Sequence, residues 1–257
     1  MINNNFTDES ESLKIALLSD IHGNRWALES VLNHMVQIGV QMWANLGDIF
    51  YGPLDPAGTY QIMKETNIVS ICGNEDRILF EPGKQGSSPT FEYTVKSLGI
   101  DGLDWLTTLP PTMMLEKGLF LCHGTPQSDT DYLLEQVTAE GSRERSKNEV
   151  RNLLGDLEAD VVACGHSHLP RFLRLDNGLV VLNPGSVGLP AYTDDLPYPH
   201  AMEAGTCHAR YAVLTLAGDE WSGEFHQIEY DVKSAVSAAL RNHRPDWAAW
   251  LEKGIAH

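Results

Sequence analysis

Asp20 with His22, Asp48, Asn74, His123, and His166 with His168 stand at the ends of five apolar, strand-like runs, each next to a glycine. The runs are KIALLSDIHGN (14–24), QMWANLGD (41–48), IVSICGN (68–74), LFLCHG (119–124) and DVVACGHSH (160–168). Carboxylate, imidazole and amide oxygen together form a mixed O/N donor set suited to Mn²⁺, Fe, Ni²⁺ or Zn²⁺, whereas an all-oxygen set would suit Ca²⁺ or Mg²⁺. Side chains at i and i+2 of an extended strand point the same way. Asp20 with His22, and His166 with His168, are therefore expected to act as two clips reaching into one cavity. Seven donors in this order fit a hydrolase that works with two metal ions. Cys72, Cys122 and Cys164 lie one or two positions before a candidate ligand; Cys122 is expected to point away from His123, and all three read as small buried apolar filler.

Each motif alone says little. Gly47-Asp48 is by itself a turn signal and Gly73-Asn74 a β-turn pair. Gly-His-Ser-His (165–168) is stronger, because two histidines two apart after a β-branched run set two ring nitrogens on one side. The ordered combination carries the weight.

The elements that must position these residues follow from periodicity. KIALLSD leads into a helix over 25–38, where Leu28, Val31, Leu32, Met35 and Val36 recur at helical spacing. A strand over 40–47, a helix over 56–66 opened by Pro56, and a strand over 68–72 continue a β-α-β-α-β alternation. That pattern predicts parallel neighbours with ligands at the carboxyl ends of the strands. Residues 81–90 read as a mobile loop and 91–107 as a helix, an excursion that could overhang the site. A hairpin is expected over 112–122, a charged helical face over 131–157, a hairpin turned by Asp176-Asn177-Gly178, and a second pair over 209–216 and 221–230. Residues 231–256 read as terminal helices, with Trp247 and Trp250 assigned to packing. For 188–208 a plain surface connection is the leading expectation and a lid the other.

Composition bounds the function. A chain of 257 residues can bury one sizeable α/β core. We expect a disordered tail over 1–12 and a single domain over 13–257, with lid elements at 81–110 and 188–208. Eighteen Lys and Arg against 35 Asp and Glu give a net charge of −17, which disfavours duplex nucleic acid and anionic membrane as partners. Small substrates are preferred over polynucleotides. Four cysteines in a chain of this length make no disulfide framework, and the N-terminus has neither a basic nor an apolar signal region, so a cytoplasmic protein is expected.

These motifs, with His-Gly-Thr-Pro (123–126), the Tyr-Gly-Pro that follows Gly47-Asp48, and Asn-Pro-Gly-Ser (183–186), resemble the calcineurin-like metallophosphoesterases, in particular their small bacterial phosphodiesterase-like members. The resemblance spans about residues 14–190. It implies a four-layer αββα sandwich with two mixed sheets, and hydrolysis of phosphoesters at a dinuclear centre. One metal would be held by Asp20, His22, Asp48 and His168, the other by Asp48, Asn74, His123 and His166, with Asp48 bridging. Mn²⁺ is the foremost metal, with Fe, Ni²⁺ or Zn²⁺ as alternatives. Two divalent ions, two carboxylates and a bridging hydroxide as nucleophile sum to one positive charge, which attracts a phosphoryl anion inside an acidic protein.

The chain departs from the family pattern at Glu75, where many members carry a histidine. Glu75 is either an acid with a raised pKa or a supporting carboxylate; without an acid, diesters and activated esters are preferred. Asn24 is either a substrate contact or a helix N-cap. Arg77, with Arg25, Arg171 and Arg210, is either a phosphate clamp or a solvated surface group, and the same choice applies to the basic cluster Arg143, Arg145 and Lys147. Two other classes of function compete. A retromer subunit uses this fold as a non-catalytic scaffold, a role favoured by loss of metal ligands. Two-metal amidohydrolases open with His-x-His, not Asp-x-His.

Overall fold

A computed structural model describes residues 12–81 and 88–256; the expected tail, apart from residue 12, and most of the 81–90 loop lie outside them. In chain order the elements are β1 (Leu13–Leu18), α1 (Arg25–Gln37), β2 (Met42–Asn45), α2 (Pro56–Glu65), β3 (Val69–Ser70), the single turn α3 (Asn74–Arg77) and α4 (Pro89–Thr107). Then come β4 (Thr112–Met114), β5 (Leu119–Cys122), β6 (Glu135–Thr138), β7 (Gly141–Glu144), α5 (Lys147–Leu154), β8 (Val161–Ala163), β9 (Arg171–Arg174) and β10 (Val180–Asn183). The chain closes with β11 (Ala191–Asp194), β12 (His200–Glu203), β13 (Ala209–Ala217), β14 (Glu220–Ile228), α6 (Val232–Arg241) and α7 (Pro245–Lys253).

Two five-stranded mixed sheets form the centre, ordered β14-β13-β1-β2-β3 and β4-β5-β8-β10-β9. β1, β2 and β3 run parallel, as do β5, β8 and β10, while the hairpin strands flank them antiparallel. Alternation along β1 separates the layers: Ile15 and Leu17 join Leu121, Val161 and Leu182 between the sheets. Ala16 and Leu18 face Leu28, Val31 and Met35 of α1. Outside the second sheet, Cys122 and Cys164 pack with Val150 and Leu154 of α5. Helix, sheet, sheet and helix thus form the expected four-layer sandwich, and the cysteines are filler in its outer layer.

Three expectations need correction. Residues 131–157 are not one helix. Gly141 at φ +117° turns the β6–β7 hairpin, and the helix starts only at Lys147, where Ser146 and Glu149 form a reciprocal capping box. Segment 188–208 is not a plain connection, since β11 and β12 pair along their whole lengths, from Ala191 with Glu203 to Asp194 with His200. Finally, the described part of 81–110 does not overhang the site. Phe91, Leu98 and Leu106 of α4 are buried in the core beside Tyr60 and Phe50.

Candidate metal centre

The parallel strands end before the candidate ligands begin. β1 stops at Leu18 and β8 at Ala163, so the i, i+2 geometry of a strand does not bring Asp20 to His22, or His166 to His168. Left-handed backbone does. Asp20 (φ 54°), His22 (51°), Asp48 (54°), His166 (68°) and His168 (59°) all adopt positive φ, a conformation costly for residues with a Cβ and typical of functional sites. The loops are held in it by one another: Asp20 and His22 N–H donate to the Gly47 and Asp48 carbonyls, and Gly188 N–H donates to Asp20 O. Gly73 is fixed by close approach, for a Cβ there would lie 2.1 Å from Asp48 Oδ1.

Each of the four imidazoles turns one ring nitrogen to a backbone carbonyl. His22 Nδ1 faces Tyr51 O at 3.0 Å, His123 Nδ1 faces Leu46 O at 2.7 Å, His166 Nε2 faces Thr130 O at 3.0 Å and His168 Nδ1 faces Leu189 O at 2.6 Å. A carbonyl only accepts, so each of these nitrogens carries a proton, and once the ring is neutral the other nitrogen offers a lone pair, the usual arrangement of a metal-ligating histidine. Those lone pairs converge. His22 Nε2 and His168 Nε2 are 3.1 Å apart, and His168 Nε2 lies 3.4 Å from Asp20 Oδ1. His123 Nε2 lies 3.2 Å from Asp48 Oδ2, off the line of a hydrogen bond.

Asp20 Oδ1, Asn74 Oδ1 and His123 Nε2 are buried without any hydrogen-bond partner. Orphaned acceptors and facing lone pairs are costly unless a cation lies between them. The donor set therefore fits divalent metal. Asp20, His22 and His168 form one cluster able to hold an ion, Asp48, His123 and His166 a second, and Glu75 approaches His22 and Asp48 in a third. Asn74 lines the same cleft.

Charge in this unscreened site is redistributed strongly. Burial opposes ionisation of Asp20, yet His168, His123 and His22 hold its carboxyl well below the usual carboxylate range. Burial likewise opposes charge on His22 and His123, but Glu75 raises His22 to about 9 and Asp48 raises His123 to about 10. His166, desolvated and close to His123, falls to about 4.

Several supporting residues had no role assigned from the sequence. The buried Asp76 accepts N–H bonds from Ile49, Phe50 and Gly73, tying the loop after β2 to the loop after β3. Ser186 Oγ donates to Asp20 O, and Asn183 Nδ2 donates to Gly165 O, so Asn-Pro-Gly-Ser braces two ligand loops. The Tyr132 ring stacks on His166 at 4.6 Å, and its hydroxyl meets Tyr192 and His200. Tyr192 in turn donates to His166 O, which places the 188–208 segment against the site. These residues read as ordinary core aromatics until the fold brings them together.

The substrate-contact candidates fare differently. Asn24 is fully buried, caps α1 by accepting from Ala27 N–H, and donates to Gly188 O and Tyr230; it is the cap, not a substrate contact. Arg77 donates to Asp129 and Glu81, so its guanidinium is already committed. Arg25 pairs with Glu29 and Asp55, Arg171 with Glu144, and Arg210 donates to backbone carbonyls. The basic cluster is likewise engaged, Arg143 with Glu149 and Lys147 with Asp176, while Arg145 donates to Tyr132 O. Glu75 Oε2 sits 3.2 Å from His22 Nδ1, at the back of a candidate ligand, and burial raises its pKa. The rest of the cleft wall comes from residues assigned to packing or given no site role: Tyr51, Tyr192, Arg244, Trp247 and Trp250 help to line a cleft of about 200 Å³.

A strained, histidine-rich centre at the carboxyl ends of two facing sheets defines a class of protein. Residues 13–202 match the calcineurin-like phosphoesterase superfamily domain, and the chain belongs to that family. It is 26% identical over 250 residues to an uncharacterized protein of Methanocaldococcus jannaschii, covering 91% of this chain and 94% of that one. The fold is similar to a metallophosphoesterase from Sphaerobacter thermophilus, with TM-score 0.71 and 23% identity over 95% of this chain and 99% of the other. A hypothetical protein from Pyrococcus horikoshii is similar at TM-score 0.72 and 19% identity, over 94% and 98% of the two chains.

Proposed function

We propose that this phosphoesterase-family chain hydrolyses phosphodiesters or activated phosphoesters of small molecules at a dinuclear centre, with Asp48 bridging the two ions. Asp20, His22 and His168 would complete one ion's shell, and Asn74, His123 and His166 the other's. The observation that carries this reading is the set of four imidazoles, each with one ring nitrogen turned to a backbone carbonyl and each grouped with Asp20 or Asp48, together with buried oxygens of Asp20 and Asn74 that have no hydrogen-bond partner. When bound, two divalent ions supply Lewis acidity toward phosphoryl oxygens and acidify the attacking water. The chain's own residues do the rest. His166 stays neutral down to about pH 4 and keeps its lone pair available. Glu75 props His22, so the leaving group departs without a dedicated acid, which is why good leaving groups are preferred.

The mixed O/N donors favour Mn²⁺, with Fe, Ni²⁺ or Zn²⁺ as alternatives. Four free thiols suit a reducing, cytoplasmic setting, and no helix among the described residues is long and apolar enough to cross a membrane. The test is turnover of bis(p-nitrophenyl) phosphate. Chelation should abolish it and Mn²⁺ restore it. Asp48→Asn and His123→Ala should each lower it about a hundredfold or more and lower bound metal with it. Full activity of either variant in metal-replete buffer would refute the assignment.

A further inference from the structure

The C-terminal helix α7 lies beyond residue 202, where the family match ends, yet it supplies much of the wall facing the candidate ligands. Trp247 stands edge-on to His22, with ring centroids 5.7 Å apart and planes at 83°. It is 4% exposed and anchored among Leu54, Leu189, Ala238 and Leu251. Trp250, half-buried, follows it at 6.4 Å and turns into the cleft. The Arg244 guanidinium lies over the Trp247 ring at 5.4 Å. Its Nε and Nη2 donate to Asp246, and its Nη1 donates to Thr90 Oγ1.

That binding decides what Arg244 does. Three of its nitrogens are committed and its charge is offset by Asp246, so it is poorly suited to clamping a phosphate. A guanidinium is planar, and held in place by these bonds it is instead a preorganised stacking plate, with the indole beside it offering a second. This wall starts at His22 itself, so any group stacked on it must be attached close to the phosphorus.

Resting on the phosphoesterase reading, we propose that α7 builds a ring-binding subsite that selects phosphoesters whose ester group carries a flat aromatic ring, stacked on Trp250 and Arg244. The ring can be that of a nucleoside or a simple aryl group, and one experiment separates the two. Isothermal titration of the Mn²⁺-loaded protein compares adenosine 5′-monophosphate with ribose 5-phosphate, and phenylphosphonate with methylphosphonate. Each pair shares its anion and differs in the ring. The ring member of at least one pair should bind about tenfold tighter or more, the range of base–aromatic stacking. A preference in the first pair alone identifies the nucleoside, one in the second pair alone a simple aryl group, and one in both a general ring site.

Trp250→Ala should bring the preference close to one, and Trp250→Phe, which keeps a stacking face, should retain most of it; circular dichroism checks that both fold. Equal affinity within both pairs overturns the subsite. Bis(p-nitrophenyl) phosphate turnover is measured alongside. Ring preference without turnover keeps the subsite and sinks the activity, whereas turnover without ring preference does the reverse.

Discussion

The two walls of the cleft are built on opposite principles. On the metal-facing wall five of the seven candidate ligands, Asp20, His22, Asp48, His166 and His168, sit in left-handed backbone, and backbone hydrogen bonds tie the loops after β1 and β2 to one another. The other wall takes Trp247 and Trp250 from helix α7 and Tyr192 from the β11–β12 hairpin, elements with regular backbones, and adds Tyr51 and the α7 cap residue Arg244. One wall spends backbone strain to fix lone pairs within tenths of an ångström, as metal chemistry demands. The other needs only a shape and a surface, which regular elements supply. The two should therefore respond very differently to substitution, and that difference orders the expectations below. The Asp48→Asn and His123→Ala variants head the list, since they remove the donors themselves.

Next comes the packing that holds the donors. Gly73 has an ordinary φ of −90°, so only space forbids a side chain there, and a Cβ would meet Asp48 Oδ1 at 2.1 Å and Asp48 N at 2.4 Å. Gly73→Ala should destabilise the fold by about 2 kcal/mol through overpacking and displace the Asp48 carboxylate. Thermal melting and metal content read the two effects. On the other wall Thr193→Ala, an exposed rim residue of β11, should change neither. If both variants behaved alike, the contrast between the walls would fail.

Protons sharpen the contrast further. Without metal, His22 and His123 keep their protons to about pH 9 and 10, above the usual histidine value, because Glu75 and Asp48 outweigh the burial that opposes their charge. Metal must displace those protons, so affinity should rise with pH from 6 to 9, by about tenfold per unit for each proton released. Titration in buffers of different ionisation enthalpy would count them. The same shifts stabilise the metal-free fold fully below about 6.5, the unfolded value, and that stability drains away as pH rises through 9 and 10. The metal-free melting temperature should fall across that window. The metal-loaded protein should not follow it, and a metal-independent fall would contradict the assignment of these imidazoles.

The walls also differ in how far the sequence revealed them. Asp20, His22, Asp48, Asn74, His123, His166 and His168 stood out because donor chemistry at strand ends is rare and its order is constrained by the sheets. The reason first offered for their convergence, strand alternation, did not hold. Left-handed φ at successive ligands leaves no trace in residue type, since Asp and His are not the glycines that normally mark it. Trp247, Trp250 and Arg244 were hidden for another reason. Their spacing is that of an amphipathic helix, and nothing local says that one edge of that helix meets a ligand loop more than two hundred residues earlier. The hairpins at 135–144 and 191–203 escaped because short charged strands lack the apolar alternation that betrays a buried sheet.

Glu75 sits at the join between the walls and gives a smaller effect. Its carboxylate reaches His22 Nδ1 at 3.2 Å while its backbone N–H donates to Asp48 Oδ1 at 2.9 Å. Glu75→Gln keeps the shape but removes the charge. Metal affinity should fall about tenfold, as for outer-shell partners elsewhere, with kcat on an aryl diester little changed at saturating Mn²⁺. A large loss of kcat confined to esters with poor leaving groups would instead make Glu75 the proton donor.

The smallest expected change lies in the clamp on His166. Tyr132 contributes a ring, stacked at 24° on His166, and a hydroxyl shared with Tyr192 and His200 at 2.9 and 3.0 Å. The ring holds the imidazole plane directly; the hydroxyl acts through Tyr192, whose own hydrogen bond at 2.9 Å fixes the His166 carbonyl. Tyr132→Phe removes only the second contribution and should cost about 1 kcal/mol of stability, with metal affinity lowered less than tenfold. Tyr132→Ala removes both and should lower affinity further, because the freed ring of His166 can rotate away from Thr130 O. Equal effects of the two substitutions would mean that the hydroxyl network, not the stacked ring, orients this ligand. The hairpin β11–β12 that supplies Tyr192 and His200 would then belong to the metal-facing wall as much as to the opposite one.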